Sequence, residues 1–137
     1  MTTQDYVSLS LALKLNEHGY DKYSSNQYIV NDDREYKERH MSLEECAYIE
    51  LTKNINIIYV PTLSETYDFM FMNYSNWNVS VLWNNNLKGY YFVVQNIETG
   101  YEYIQPTIPG EKNIFKLYEY GFEHILNMLK YVNDLNL

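Results

Sequence analysis

Glycine, proline and cysteine are scarce in this chain, at 5, 3 and 1 of 137 residues. So few glycines leave no glycine-rich loop to cradle a phosphate, and the sequence spells no nucleophile elbow and no zinc-protease helix. A lone cysteine, Cys46, excludes an internal disulfide and fits a reducing compartment. Long apolar runs are absent too. The longest, at 57–60 and 90–94, fall far short of the ~20 residues that span a bilayer. Met1-Thr2-Thr3-Gln4-Asp5 carries no basic stretch and no cleavage site, so the expectation is a cytoplasmic protein without a membrane segment. Positive charge is in short supply: 10 Lys+Arg against 18 Asp+Glu give a net charge of −8. That balance opposes binding to nucleic acid, whose affinity comes largely from cations on phosphates. The carboxylates are spread from Asp5 to Asp134, and the densest run, 32–39, is mixed with bases. The charge therefore reads as solubility, with nucleic-acid mimicry as the alternative.

What the chain has in abundance is tyrosine and asparagine, sixteen of each. Both are spelled by A/T-rich codons, so the bias records genome composition before chemistry. Hydrophobic residues at 46% support a packed core, and the length suits one domain.

Periodicity predicts a helix over 5–18, with Val7, Leu11 and Leu15 on one face and Gly19-Tyr20 closing it. Gln27-Tyr28-Ile29-Val30 reads as a short strand and 31–40 as a charged, solvated loop. Ser42-Leu43-Glu44-Glu45 has capping-box spacing and favours a helix over 43–52, while the alternation of 47–51 keeps a strand in contention. Residues 55–59 read as extended chain. Thr62-Leu63-Ser64-Glu65 is a second capping box, starting a helix with a core stripe of Leu63, Tyr67, Met70 and Tyr74. Three strands follow as a meander. Trp77, Val79, Val81 and Trp83 alternate with polar residues and share a buried face, Tyr90 to Ile97 forms the central strand, and 101–104 the third. A last helix, 116–134, carries Tyr118, Phe122, Ile125, Leu129 and Val132 as its stripe. The expected architecture is α+β: a single domain over 1–137, with an antiparallel three- to four-stranded sheet (meander 77–104) and about three helices packed on it.

Three stretches resemble a known group. The first is the helix from Leu9 closed by Gly19-Tyr20. The second is Val60-Pro61-Thr62 leading into Tyr67-Asp68-Phe69-Met70. The third is Tyr118-Glu119 running into Ile125-Leu126. Together they resemble small uncharacterised proteins that recur in phages and prophages of gut Bacteroidetes. That group brings no activity with it, so no catalytic residue is carried over. The chain departs from the pattern at Val60 and Gly121, where Ala is usual. It also has a longer 31–54 region, and apolar Phe71-Met72 where charge is common.

No constellation in the sequence spells catalysis. His18, His40 and His124 lie far apart, and adjacent Glu123 and His124 point about 100° apart on a helix. No metal, cofactor or catalytic residue is expected. Carboxylates beside Cys46 raise its thiol pKa, which favours a small buried cysteine over a nucleophile. Tyr90, Phe92, Tyr101 and Tyr103 could stack bases, but Lys88 is the lone basic residue between Trp77 and Ile108. Protein binding is the reading that remains, because Tyr and Trp anchor interfaces well. The expected function is a phage or prophage accessory protein that engages a host or phage protein without catalysis. The alternatives are an enzyme whose carboxylates or histidine meet only in three dimensions, and an inhibitor of a host defence system. The candidate surface is Phe71, Met72, Tyr90, Tyr101 and Tyr103. Met72 lies about 200° from Met70 on the helix and points away from the core. Phe71 and Met72 would then border a homodimer or a partner site, unless the 31–54 segment covers that helix.

Overall fold

The computed structural model describes residues 5–30, 34–52 and 55–134, with side chains as far as 131. Its elements run α1 (Leu9–Glu17), β1 (Gln27–Val30), β2 (Tyr36–Arg39), α2 (Leu43–Thr52), β3 (Ile57–Tyr59), α3 (Leu63–Asn73), β4 (Trp77–Asn84), β5 (Gly89–Asn96), β6 (Glu102–Ile104) and α4 (Ile114–Asp134). Among the described residues this is an α+β fold with four helices and two three-stranded antiparallel sheets, where about three helices and one sheet were expected. The chain gathers into two compact units, Met1–Thr66 and Tyr67–Leu137.

In the first unit, α1 begins at Leu9 rather than near residue 5 because Ser8 caps it, its hydroxyl accepting from Leu11 N–H at 3.3 Å. Ahead of the cap the chain is held extended, with Val7 N–H donating to Pro61 O at 3.0 Å. Leu11, Ala12 and Leu15 are fully buried. Gly19 closes the helix at φ +97°, where Tyr20 N–H reaches Leu15 O at 3.0 Å and Gly19 N–H reaches Asn16 O at 3.2 Å. Tyr20 is buried there, as the Gly-aromatic pair foretold.

The sheet of this unit has the order β2-β1-β3. Residues 31–40 are therefore not simply a loop. Residues 31–33 lie outside the described part, but 36–39 pair antiparallel with β1, Gln27 opposite Arg39 and Val30 opposite Tyr36. The charges stay solvated, since all four β2 residues are exposed, while the backbone completes the ladder. The fully buried Gln27 sets this hairpin: its amide nitrogen donates to Ser24 O and Met41 O, and its oxygen accepts from Met41 N–H at 2.9 Å. The ambiguity over 43–52 resolves to helix. Ser42 Oγ accepts from Glu45 N–H at 3.2 Å and Glu45 reaches back to Ser42 N–H, and Cys46 is the helix's one buried residue.

The second capping box holds as well, with Glu65 N–H to Thr62 Oγ1 at 3.1 Å and Thr62 N–H to Glu65 Oε1 at 2.9 Å. The stripe expected on α3 is corrected. Met70 is buried and Leu63 and Tyr74 are half-buried, but Tyr67 is 46% exposed and Thr66 is fully buried in its stead. A threonine can take that place because its hydroxyl is satisfied locally, donating to Thr62 O at 2.9 Å.

In the second unit the meander is as read, with order β4-β5-β6, Val79 opposite Val94, Val81 opposite Phe92 and Val94 opposite Tyr103. Burial along β4 fades toward its end. Val79 is buried, Val81 half-buried and Trp83 43% exposed, so Trp83 does not share the buried face as expected. The last helix starts at Ile114, two residues early, because Asn113 Oδ1 accepts from Lys116 N–H at 3.1 Å. Its core residues are Leu117, Gly121, Phe122, Ile125 and Leu126, with Tyr118 and Leu129 half-buried. Val132 lies beyond the described side chains. At Gly121 the helix presses on β4, and a β-carbon there would overlap Val79 Cγ1.

Candidate functional site

The turn of α3 that follows Tyr67 supplies one wall of a groove of about 180 Å³ in the second unit. Tyr67, Met70 and Phe71 come from the helix, Trp77, Asn78 and Val79 from the start of β4. Ile97, in the β5–β6 turn, lines it too, and Phe122 and Ile125 of α4 complete the lining. Met70, Val79, Phe122 and Ile125 are buried and form the floor. The walls are open to solvent: Phe71 is 63% and Ile97 76% exposed. Tyr67 packs edge-on to Phe122, ring centres 6.1 Å apart, which fixes the wall to the floor. Met72 is 79% exposed and points outward, beside the groove rather than in it.

The groove continues into an aromatic cluster through Trp77. Its ring packs on Tyr101 at 5.7 Å, and Tyr101 OH and His124 Nε2 are hydrogen-bonded at 2.9 Å. Tyr103 stacks on the His124 imidazole at 4.4 Å and 15°. Burial pushes the His124 pKa down, which favours the neutral imidazole. Thus the structure brings Phe71 together with Trp77, and through it with Tyr101 and Tyr103. Tyr90 lies at the far end of the sheet, paired with Trp83 at 4.8 Å. The three sheet tyrosines are half-buried, so they form the support of a surface more than its face.

The surroundings of Cys46 disfavour its thiolate. The thiol is fully buried, and that burial raises its pKa, with the Glu50 and Glu45 carboxylates adding to the shift. Its neighbour Tyr59 donates to Glu50 Oε1 at 2.9 Å, and burial with that carboxylate raises the phenol pKa. Among the described residues no three His, Cys, Asp or Glu side chains gather at metal-binding distance, and no helix is long and apolar enough to cross a membrane.

Sequence reasoning passed over two features. Ile97 reads as the end of a strand, and nothing local marks it as the wall of a groove. In the first unit, α2 displays Leu43, Tyr48 and Leu51 to solvent beside an open depression of about 560 Å³ lined by Ile29, Glu44, Glu45, Tyr48, Ile49 and Ile55. The four-residue spacing of Leu43, Ala47 and Leu51 was the available signal, and it was hidden by the strand-like alternation of the same segment. The chain matches no protein-family model, no curated protein and no solved structure.

Proposed function

We propose that this chain is a non-enzymatic protein-binding module, an accessory protein of phage or prophage origin that engages a host or phage protein in the host cytoplasm. The observation that carries the binding reading is the exposed pair Phe71 and Ile97, which line one groove with buried Met70, Val79, Phe122 and Ile125. Water-exposed aromatic and aliphatic walls over an apolar floor suit one or two anchoring side chains of a partner. Met72 beside them supplies a side chain that repacks easily against different shapes. The phage assignment rests on the resemblance of the helix-closing Gly19-Tyr20, the Val60-Pro61-Thr62 entry to α3 and the Tyr118-Glu119 helix. Inhibition of a host defence protein is one form such binding would take.

The test is affinity capture from a Bacteroidetes lysate with the wild type and with Phe71→Glu and Ile97→Glu variants in parallel. A partner retained by the wild type and lost by both variants supports the reading. Absence of any such partner, together with turnover in a broad hydrolase screen that His124→Gln abolishes, would replace it with an enzymatic one.

A further inference from the structure

The described residues form four sheet edges, and three of them are protected. The β2 edge carries exposed Lys37, Glu38 and Arg39. The β3 edge is closed by the Asn16 side chain, whose Nδ2 donates to Tyr59 O at 2.9 Å and whose Oδ1 accepts from Tyr59 N–H at 3.3 Å. The β6 edge is three residues long and is followed by Pro106. The fourth edge, β4, has none of these devices. It runs eight residues without charge, proline or glycine, and its register with β5 is continuous, so no bulge interrupts it. Charge, brevity, proline and side-chain cover are the means by which proteins keep edges from pairing, and their absence at one edge alone marks it as a surface to be paired.

The outward-facing backbone groups of β4 can be named. In β5 the even residues bond away from β4: Asn96 N–H to Tyr101 O at 2.9 Å, Tyr90 N–H to Glu111 O at 2.8 Å, and Phe92 O from Gln105 N–H at 3.0 Å. The odd residues bond toward β4, and their partners there are Asn78, Ser80, Leu82 and Asn84. The alternation of an antiparallel ladder therefore turns the N–H and C=O of Val79, Val81 and Trp83 outward. Among the described residues no backbone group pairs with them.

We propose that this edge pairs with the same edge of a second copy of the chain, antiparallel about Ser80. The sequence is the reason for choosing a second copy over another protein's strand. Trp77-Asn78-Val79-Ser80-Val81-Leu82-Trp83 reads the same in both directions except at Asn78 and Leu82. About a two-fold axis at Ser80, Val79 meets Val81 of the second copy and exchanges both backbone hydrogen bonds with it. Trp77 meets Trp83 of the second copy, and Ser80 meets its own counterpart. Residues opposite one another are equal in parity, so the face of each sheet that holds Val79 and Val81 continues into the same face of the other. No charge is brought against a like charge along the seam. The result is a closed, isologous contact. This does not rest on the groove: variants at Phe71 and Ile97 test that surface, and variants at Ser80 and Val81 test this one.

Cysteine placed at the axis gives the direct test. In a non-hydrogen-bonded antiparallel pair the α-carbons lie about 4.5 Å apart, which a disulfide can bridge. Ser80→Cys should form a reducible covalent dimer on mild oxidation, whereas Leu82→Cys should not, because Leu82 faces Asn78 of the second copy. Sedimentation should show wild-type dimer that dissociates on dilution. Val81→Pro removes an outward N–H without breaking a bond to β5, and should be a folded monomer by circular dichroism. Should that variant unfold, Ser80→Lys, which sets like charges at the axis, serves in its place and should also yield a folded monomer. A wild type that is monomeric at every concentration, or Ser80→Cys cross-linking no faster than Leu82→Cys, overturns the proposal. So does a monomeric wild type that binds a peptide of residues 77–84, since the edge then belongs to another protein's strand.

Discussion

Gly121 of α4 and Val79 of β4 touch where any larger residue at 121 would collide with the valine methyl groups. The helix owes its closeness to the sheet to a missing side chain. Gly121→Ala should accordingly destabilise the protein, although alanine is the better helix former by about 1 kcal/mol. Overpacking in a filled core costs about 1–3 kcal/mol and outweighs that gain. Urea unfolding would measure it. Adding Val79→Ala to the Gly121→Ala chain should restore part of the loss, since two touching sites couple.

Phe71→Glu and Met72→Glu should leave the fold intact, because both residues are largely exposed, and a surface change of this kind stays within about 0.5 kcal/mol. Binding to the groove's partner should fall in both. A Met72→Glu chain that unfolds instead, by thermal melt, would place residue 72 in the core.

Stability should depend on His124 below neutrality. Its folded pKa is lowered by burial from the ordinary value of 6.5. As pH falls through 6.5 the unfolded chain takes up this proton before the folded one does, so unfolding is favoured. The contribution is complete above that pH and is lost as pH drops toward the folded value. A His124→Gln variant should show a shallower decline of Tm with pH over that window. An unchanged slope would mean that the imidazole is solvated in the folded protein.

Cys46 should be nearly inert to alkylating reagents in the native protein and react readily once unfolded, since the thiol is buried with a raised pKa. Mass spectrometry after brief exposure to iodoacetamide, with and without denaturant, reads this. Rapid native labelling would show that α2 opens frequently, because Cys46 is that helix's one buried residue.

Elements governed by neighbouring residues were legible in the sequence. Gly19-Tyr20 closes α1 because only the local backbone decides that geometry, and both capping boxes engage because each joins residues three apart. The meander was visible as alternation. The strand β2 was not, since Lys37, Glu38 and Arg39 look like a loop until β1 supplies a ladder for their backbone. The buried face of α3 was misread at Tyr67 because a hydrophobic count overlooks a threonine whose hydroxyl is satisfied within its own helix. The exposure of Met72 was readable from helical angle. The groove itself was not, because its lining comes from α3, β4, the β5–β6 turn and α4, and no single stretch of sequence holds it.

Gln27 binds Ser24, ahead of the first strand of its hairpin, and Met41, after the second, through one buried amide. Strand alignment is thereby enforced from the base of the hairpin. A hairpin so anchored should accept changes in length at the far end. It also makes the β1–β2 connection the natural place to insert a fluorophore or an affinity epitope, far in sequence from the strand and groove whose binding such a label would report.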